Sequence, residues 1–127
     1  AYVVAEARLP ALPGALPKPK KGAKKDDPPE GGFEVVAKMT GSELVGLRYK
    51  PLFPYFASLA PAAFRVVSDT YVTDDSGTGI VHQAPAFGED DYRVCLAHGV
   101  VEKGEGVPCP VDLNGCFTPE VPDFKGL

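Results

Sequence analysis

Proline and glycine punctuate this chain so often that neither a long helix nor a wide, uninterrupted sheet can run through it: its 127 residues carry 14 of each. Proline removes a backbone donor and glycine adds chain entropy, so both collect at turns and element ends. The expectation is therefore a mostly β fold with short helices (α+β), built of short strands joined by turns, rather than a helical bundle. The length suits one domain with a modest core, and residues 1–127 are read as a single domain. No apolar run approaches the ~20 residues that span a bilayer, and no basic-then-apolar leader opens the chain, so neither a membrane nor export is expected.

Charge and cysteine usage narrow the function classes. A formal net charge of -4 argues against a broad nucleic-acid footprint, because phosphate binding is dominated by Lys and Arg. Any nucleic acid bound here is touched over a small part only. Cys95, Cys109 and Cys116 make an odd count without short paired spacing, which indicates neither a disulfide framework nor a zinc site and suits reduced thiols.

Along the chain, AYVVAEARL (1–9) and FEVVAKM (33–39) read as strands. Between them, PGALPKPKKGAKKDDPPEGG carries almost no large apolar group, so 13–32 is expected to be a disordered Lys/Pro-rich loop. Thr40-Gly41-Ser42-Glu43 has capping-box spacing for a helix ending near Gly46. The aromatics of LRYKPLFPYF (47–56) are expected to be pinned into the core. AFRVVSDTYV (63–72) reads as the clearest strand, Asp74 to Gly77 as its turn, and Thr78 to His82 as its hairpin partner. Glu89 to His98 reads as a helix with three acids in its first turn and Gly99 as its C′ residue. Asn114-Gly115 is expected to turn a second hairpin.

The stretch GTGIVHQAPAFGEDDY (77–92) concentrates the chemistry. It places His82 at a strand end and an acid-led helix after a short loop, an arrangement that makes a pocket. Acids at a helix start suit the dipole, and a cation such as a free α-ammonium is one partner for them. Asp91 shares a helix face with Val94, Cys95 and His98, whereas Glu89 and Asp90 point elsewhere. The residues equally allow a plain helix-starting role for the acids and a core role for the histidine. His82 and His98 lack the spacing of a helical metal pair, the acids lack that of a calcium loop, and Gly77-Thr78-Gly79 lacks the rest of a phosphate loop. A metal-free site without a covalent nucleophile remains.

GTGIVHQAPAFGEDDYRV resembles the editing-site stretch of isoleucyl-tRNA synthetases, within the connective insertion shared by the valyl, leucyl and isoleucyl enzymes. Gly77-Thr78-Gly79 is common to the three types, and His82 favours the isoleucyl one. LVGLRYKPLFPYF and VPCPVDLNGCFTPEVPDF extend the likeness and look like the cytosolic eukaryotic form. Residues 13–32 look like a lineage-specific loop.

The resemblance implies a β-barrel-like editing domain that hydrolyses Val-tRNA(Ile) after transfer. It implies that Asp91 receives the α-ammonium of the aminoacyl group and that His82 lies beside the substrate side chain and terminal adenosine, as general base or as a pocket wall. Thr78, Gly79, Gln83 and Ala84 are implied as further substrate contacts. No cofactor is implied here, since ATP and Mg belong to the parent enzyme's catalytic domain. The implied partners are the aminoacylated 3′ end of tRNA(Ile) and the rest of the synthetase, in the cytoplasm. The family's threonine-rich stretch and its two adenylate-forming signatures have no counterpart here, so the fragment is expected to be truncated, weak or inactive alone, and unable to aminoacylate. The alternative is a non-catalytic module that binds the aminoacyl-adenosine end or serves as a structural surface.

Overall fold

In the computed structural model, which describes residues 1–12, 34–104 and 106–127, five short helical elements follow one another. They are a 3-10 turn at Glu6–Ala11, helix α1 at Gly41–Leu44, a 3-10 turn at Ala57–Leu59, helix α2 at Glu89–Ala97 and a 3-10 turn at Pro122–Phe124. The loop expected over 13–32 lies outside the described residues. No strand forms among the described residues, and antiparallel pairing is reduced to the isolated bridges Arg48 with Arg65 and Val111 with Phe117. The expectation of a mostly β, barrel-like domain is thereby overturned.

The reasons lie in the residues around each failed strand. Near the first bridge, the amides of Gly46, Val66 and Tyr49 bond Val66 O, Leu47 O and Phe64 O at 2.9, 2.8 and 3.0 Å. The ladder then stops. Pro51 and Pro54 have no N–H to extend it on one side, and Phe64 turns out of the extended region at φ 54 on the other. Further along the same run, Asp69 Oδ1 accepts the Tyr71 amide at 3.1 Å, so a local side chain has taken a donor that a hairpin would need. The N-terminal run does not form a strand either: the Arg8 amide bonds Ala5 O at 2.9 Å and the chain coils into the turn that contains Pro10. Of the 33–39 run, read as a strand, the described residues 34–39 carry no regular structure.

The chain divides into two units. The first joins Ala1–Glu43 to Ser68–His82, and the second joins Leu44–Val67 to Gln83–Leu127. In the first, the Ala5 amide donates to Thr78 O at 2.8 Å, and Arg8 donates from Nε to Gly77 O and from Nη1 to Asp75 O, at 3.0 and 2.9 Å. The N-terminal segment, not residues 63–72, is therefore the partner of the 75–78 loop. Lys38 pairs with Glu6, an exposed contact that contributes little.

The second unit holds the best-buried apolar side chains among the described residues: Val94, Cys95 and Val121, at 1%, 3% and 5% exposure. Its aromatics meet one another without being submerged. Phe53 stacks on Tyr55 at 5.5 Å and meets Phe124 edge-on at 5.7 Å, yet Phe53 is 48% and Tyr49 50% exposed. The expected pinning of this segment into a core is corrected to a half-exposed cluster. Tyr55 Oη donates to Asp123 Oδ2 at 2.6 Å, and that bond to a carboxylate is the main cause that raises its phenol pKa. The Asn114-Gly115 pair does turn the chain: Asp112 N donates to Cys116 O at 2.9 Å, while Asp112 Oδ1 accepts the amides of Asn114 and Cys116 at 2.8 and 3.0 Å. The carboxylate ties the turn from inside.

Candidate functional site

The residues singled out from the sequence fall in both units. Thr78, Gly79 and His82 belong to the first, and Gln83, Ala84 and Asp91 to the second. In the first group, Thr78 Oγ1 donates to Ile80 O at 3.2 Å and the Gly79 amide to Ser76 O at 3.1 Å. Gly79 sits at φ 73, and a Cβ there would collide with Ala5 Cβ. Only glycine suits both the left-handed backbone and the close approach. His82 is exposed at the end of this unit.

In the second group, Gln83 and Ala84 are half-buried, and Ala84 O accepts the Phe87 amide at 2.9 Å, closing the turn that delivers the chain to α2. Gly88 is the N-cap, extended at φ -143 and ψ 138, without a side chain to satisfy the first amides. Glu89, Asp90 and Asp91 fill the first turn. Their fates differ. Asp90 is exposed and takes Arg93 at 3.1 Å, three residues on. Asp91, at the third helical position, is half-buried on the face that carries the buried Val94 and Cys95. Its Oδ2 lies 2.6 Å from where a Cβ on residue 88 would stand. The carboxylate is thus folded back against the N-cap backbone, as the acid of a capping box is.

At the far end of α2 the Arg65 guanidinium donates to His98 O, and the backbone closes the rest. Gly99, at φ 65, gives its amide to Leu96 O at 3.1 Å, and Val100 gives its amide to Cys95 O at 2.7 Å. These two bonds make the Schellman closure expected of a C′ glycine. On the buried face, desolvation first and the nearby Asp91 charge second raise the Cys95 thiol pKa. Both causes keep the thiol neutral, so this cysteine packs rather than reacts. All three cysteines are free.

An acid at a helix start, half-sunk beside an apolar face, is chemically suited to hold a cation, because a charge-assisted bond there is less weakened by water than at an open surface. Among the described residues no three His, Cys, Asp or Glu side chains group as metal ligands, and no helix is long and apolar enough to cross a membrane. Sequence reasoning missed two residues that shape these segments. Arg8, which grips the 75–77 loop, left no signal beyond one cation in an apolar run. Gly88 was detectable, since a glycine where Ser, Thr, Asp or Asn ordinarily caps is a visible departure.

No family model matches the chain. Its homologues are isoleucine–tRNA ligases. It is 50% identical over 141 residues to the cytoplasmic isoleucine–tRNA ligase of Arabidopsis thaliana, a match covering 98% of this chain and 12% of that protein. The Caenorhabditis elegans cytoplasmic enzyme is 48% identical over 128 residues, covering 99% of this chain and 11% of the relative. That of Saccharomyces cerevisiae is 56% identical over 96 residues, covering 75% and 9%. The chain therefore spans about a tenth of the length of the curated relatives it matches.

Proposed function

We propose that this chain is the editing segment of an isoleucine–tRNA ligase, acting in the intact enzyme to hydrolyse valine wrongly esterified to tRNA(Ile). One observation carries the reading. A chain homologous to isoleucine–tRNA ligases over almost its whole length holds a half-buried Asp91 at the start of α2, within a stretch that resembles the editing site of these enzymes. The need for such a site is physical: a pocket built for isoleucine cannot strongly reject valine, which is smaller by one methylene, and this enzyme is itself the standard example of that limit.

In this reading Asp91 accepts the α-ammonium of the aminoacyl group. His82 lies beside the substrate side chain and terminal adenosine, with Thr78, Gly79, Gln83 and Ala84 as further contacts. An aminoacyl ester is already activated, so positioning it and a water accounts for most of the catalysis. Water adds to the ester carbonyl, the bond to the ribose oxygen breaks, and that oxygen leaves with a proton, releasing valine and free tRNA. The partners are the 3′ end of tRNA(Ile) and the remainder of the ligase, which would hold the ATP and Mg; no cofactor is assigned to this segment. The cytoplasm is the compartment proposed, after the names of the relatives.

The place of Asp91 against its own N-cap favours a second reading, in which the segment is a non-catalytic module and the acid only starts a helix. An amide NMR titration with non-hydrolysable valyl-adenosine separates the two. Saturable shifts from Gln83 to Asp91 that disappear in Asp91→Ala are expected for the editing segment. A full response in the variant would remove Asp91 from substrate recognition, and Val-tRNA(Ile) hydrolysis no faster than the spontaneous rate in the whole ligase would leave only the module.

A further inference from the structure

We propose that Gly88 is a positioning residue for substrate discrimination: its missing side chain is the space in which the Asp91 carboxylate sits, and so fixes where an α-ammonium is received. The inference rests on the editing reading for the role of Asp91, and adds a determinant that does not itself touch substrate. Gly88 is not needed for its backbone, because φ -143 and ψ 138 are open to any L-residue. Nor does it help the helix, since Ser, Thr, Asp or Asn caps better than glycine.

What glycine provides is room. A Cβ at 88 would stand 2.6 Å from Asp91 Oδ2 and 3.0 Å from Asp91 Cγ, closer than non-bonded atoms tolerate. The carboxylate is the part able to yield, by rotating about its own side-chain bonds, since the α2 backbone behind it is anchored by buried Val94 and Cys95. A side chain at 88 therefore moves the charge and leaves the helix. The consequence is a separation between stability and recognition: Gly88→Ser supplies a better cap but displaces the acid.

The test measures the affinity of the 127-residue chain for two probes, 3′-valylamino-3′-deoxyadenosine and its 3′-isovaleramido counterpart, which lacks only the α-ammonium. Parent chain, Gly88→Ser, Gly88→Ala and Asp91→Asn are compared by NMR titration and thermal unfolding. The parent is expected to prefer the ammonium probe, and Asp91→Asn to lose that preference. Gly88→Ser is expected to lose about tenfold of it, the scale of one misplaced charge-assisted hydrogen bond, with unchanged affinity for the isovaleryl probe and an unfolding midpoint at or above the parent's. Gly88→Ala should lose a similar share. If both Gly88 variants keep the preference while Asp91→Asn loses it, the positioning role is overturned and the editing reading stands. If Asp91→Asn keeps the preference, or the parent has none, the role of Asp91 fails and the proposal with it. Unfolding of both Gly88 variants would make Gly88 a folding residue and overturn the proposal separately.

Discussion

Helices α1 and α2 begin with the same device and different partners. Each has an acid three residues after its N-cap, Glu43 after Thr40 and Asp91 after Gly88. In α1, Thr40 gives Glu43 Oε2 both its amide, at 2.6 Å, and its hydroxyl, at 2.8 Å; the carboxylate is consumed by its own cap. In α2 the cap has no side chain to give, and the acid lies over the bare backbone. The first arrangement only starts a helix. The second also starts one, and sets its charge on the packed side of the unit, against a cap that has no side chain.

The two helices are also held differently, and this sets the largest expected effect. α1 has no buried residue, whereas α2 is fixed by Val94 and Cys95. Val94→Ala should lower stability by about 2 kcal/mol, as removal of buried methyl groups does, and Leu44→Ala by less than half of that. Urea unfolding of the two variants reads the difference. Equal losses would mean that α2 is not anchored from its apolar face, and the acid would then have no rigid base.

Next in size is the contrast between the two glycines of α2. Gly99→Ala forces a left-handed backbone on an L-residue and should cost about 1 kcal/mol. Gly88→Ala, at extended backbone, should change the unfolding free energy by much less while altering recognition. The same urea series decides, and a larger loss at 88 than at 99 would reverse the argument. Smaller still, Arg93→Ala removes an exposed pair with Asp90 and should cost about 0.3 kcal/mol, vanishing in high salt.

Several of these features were legible in the sequence because their cause is local. Acids in the first turn, apolar residues at 94 and 95 and glycine at 99 place α2 almost to the residue. The spacing of Thr40 and Glu43 and the Asn114-Gly115 pair announce a cap and a turn that both form. Pairing was not legible, since a strand needs a partner as well as a propensity. The 63–72 run is β-rich, but Phe64 leaves the extended region and Asp69 captures the Tyr71 amide. The loop after it bonds Ala5 and Arg8 from the other end of the chain, a choice no local pattern encodes. The site was half legible for the same reason: the acids were visible, whereas the importance of Gly88 lies in a distance between two side-chain positions.

The smallest expected effect sharpens the comparison at α1. The Thr40 amide is the largest cause and its hydroxyl the second that hold the Glu43 carboxyl below its ordinary value of 4.5. A lowered folded pKa contributes stability above the ordinary value and loses it as the pH falls through the folded one. Stability carried by this cap should therefore fade only in acid, below pH 4.5, and not near neutrality. Thr40→Gly turns the α1 cap into the kind found in α2, deleting the hydroxyl and sparing the amide. Because the amide is the larger cause, NMR titration should show the Glu43 carboxyl rising only part of the way back. A complete return would mean that the threonine hydroxyl alone occupies the carboxylate. A cap amide would then be a weak claim on an acid three residues on, in α2 as in α1.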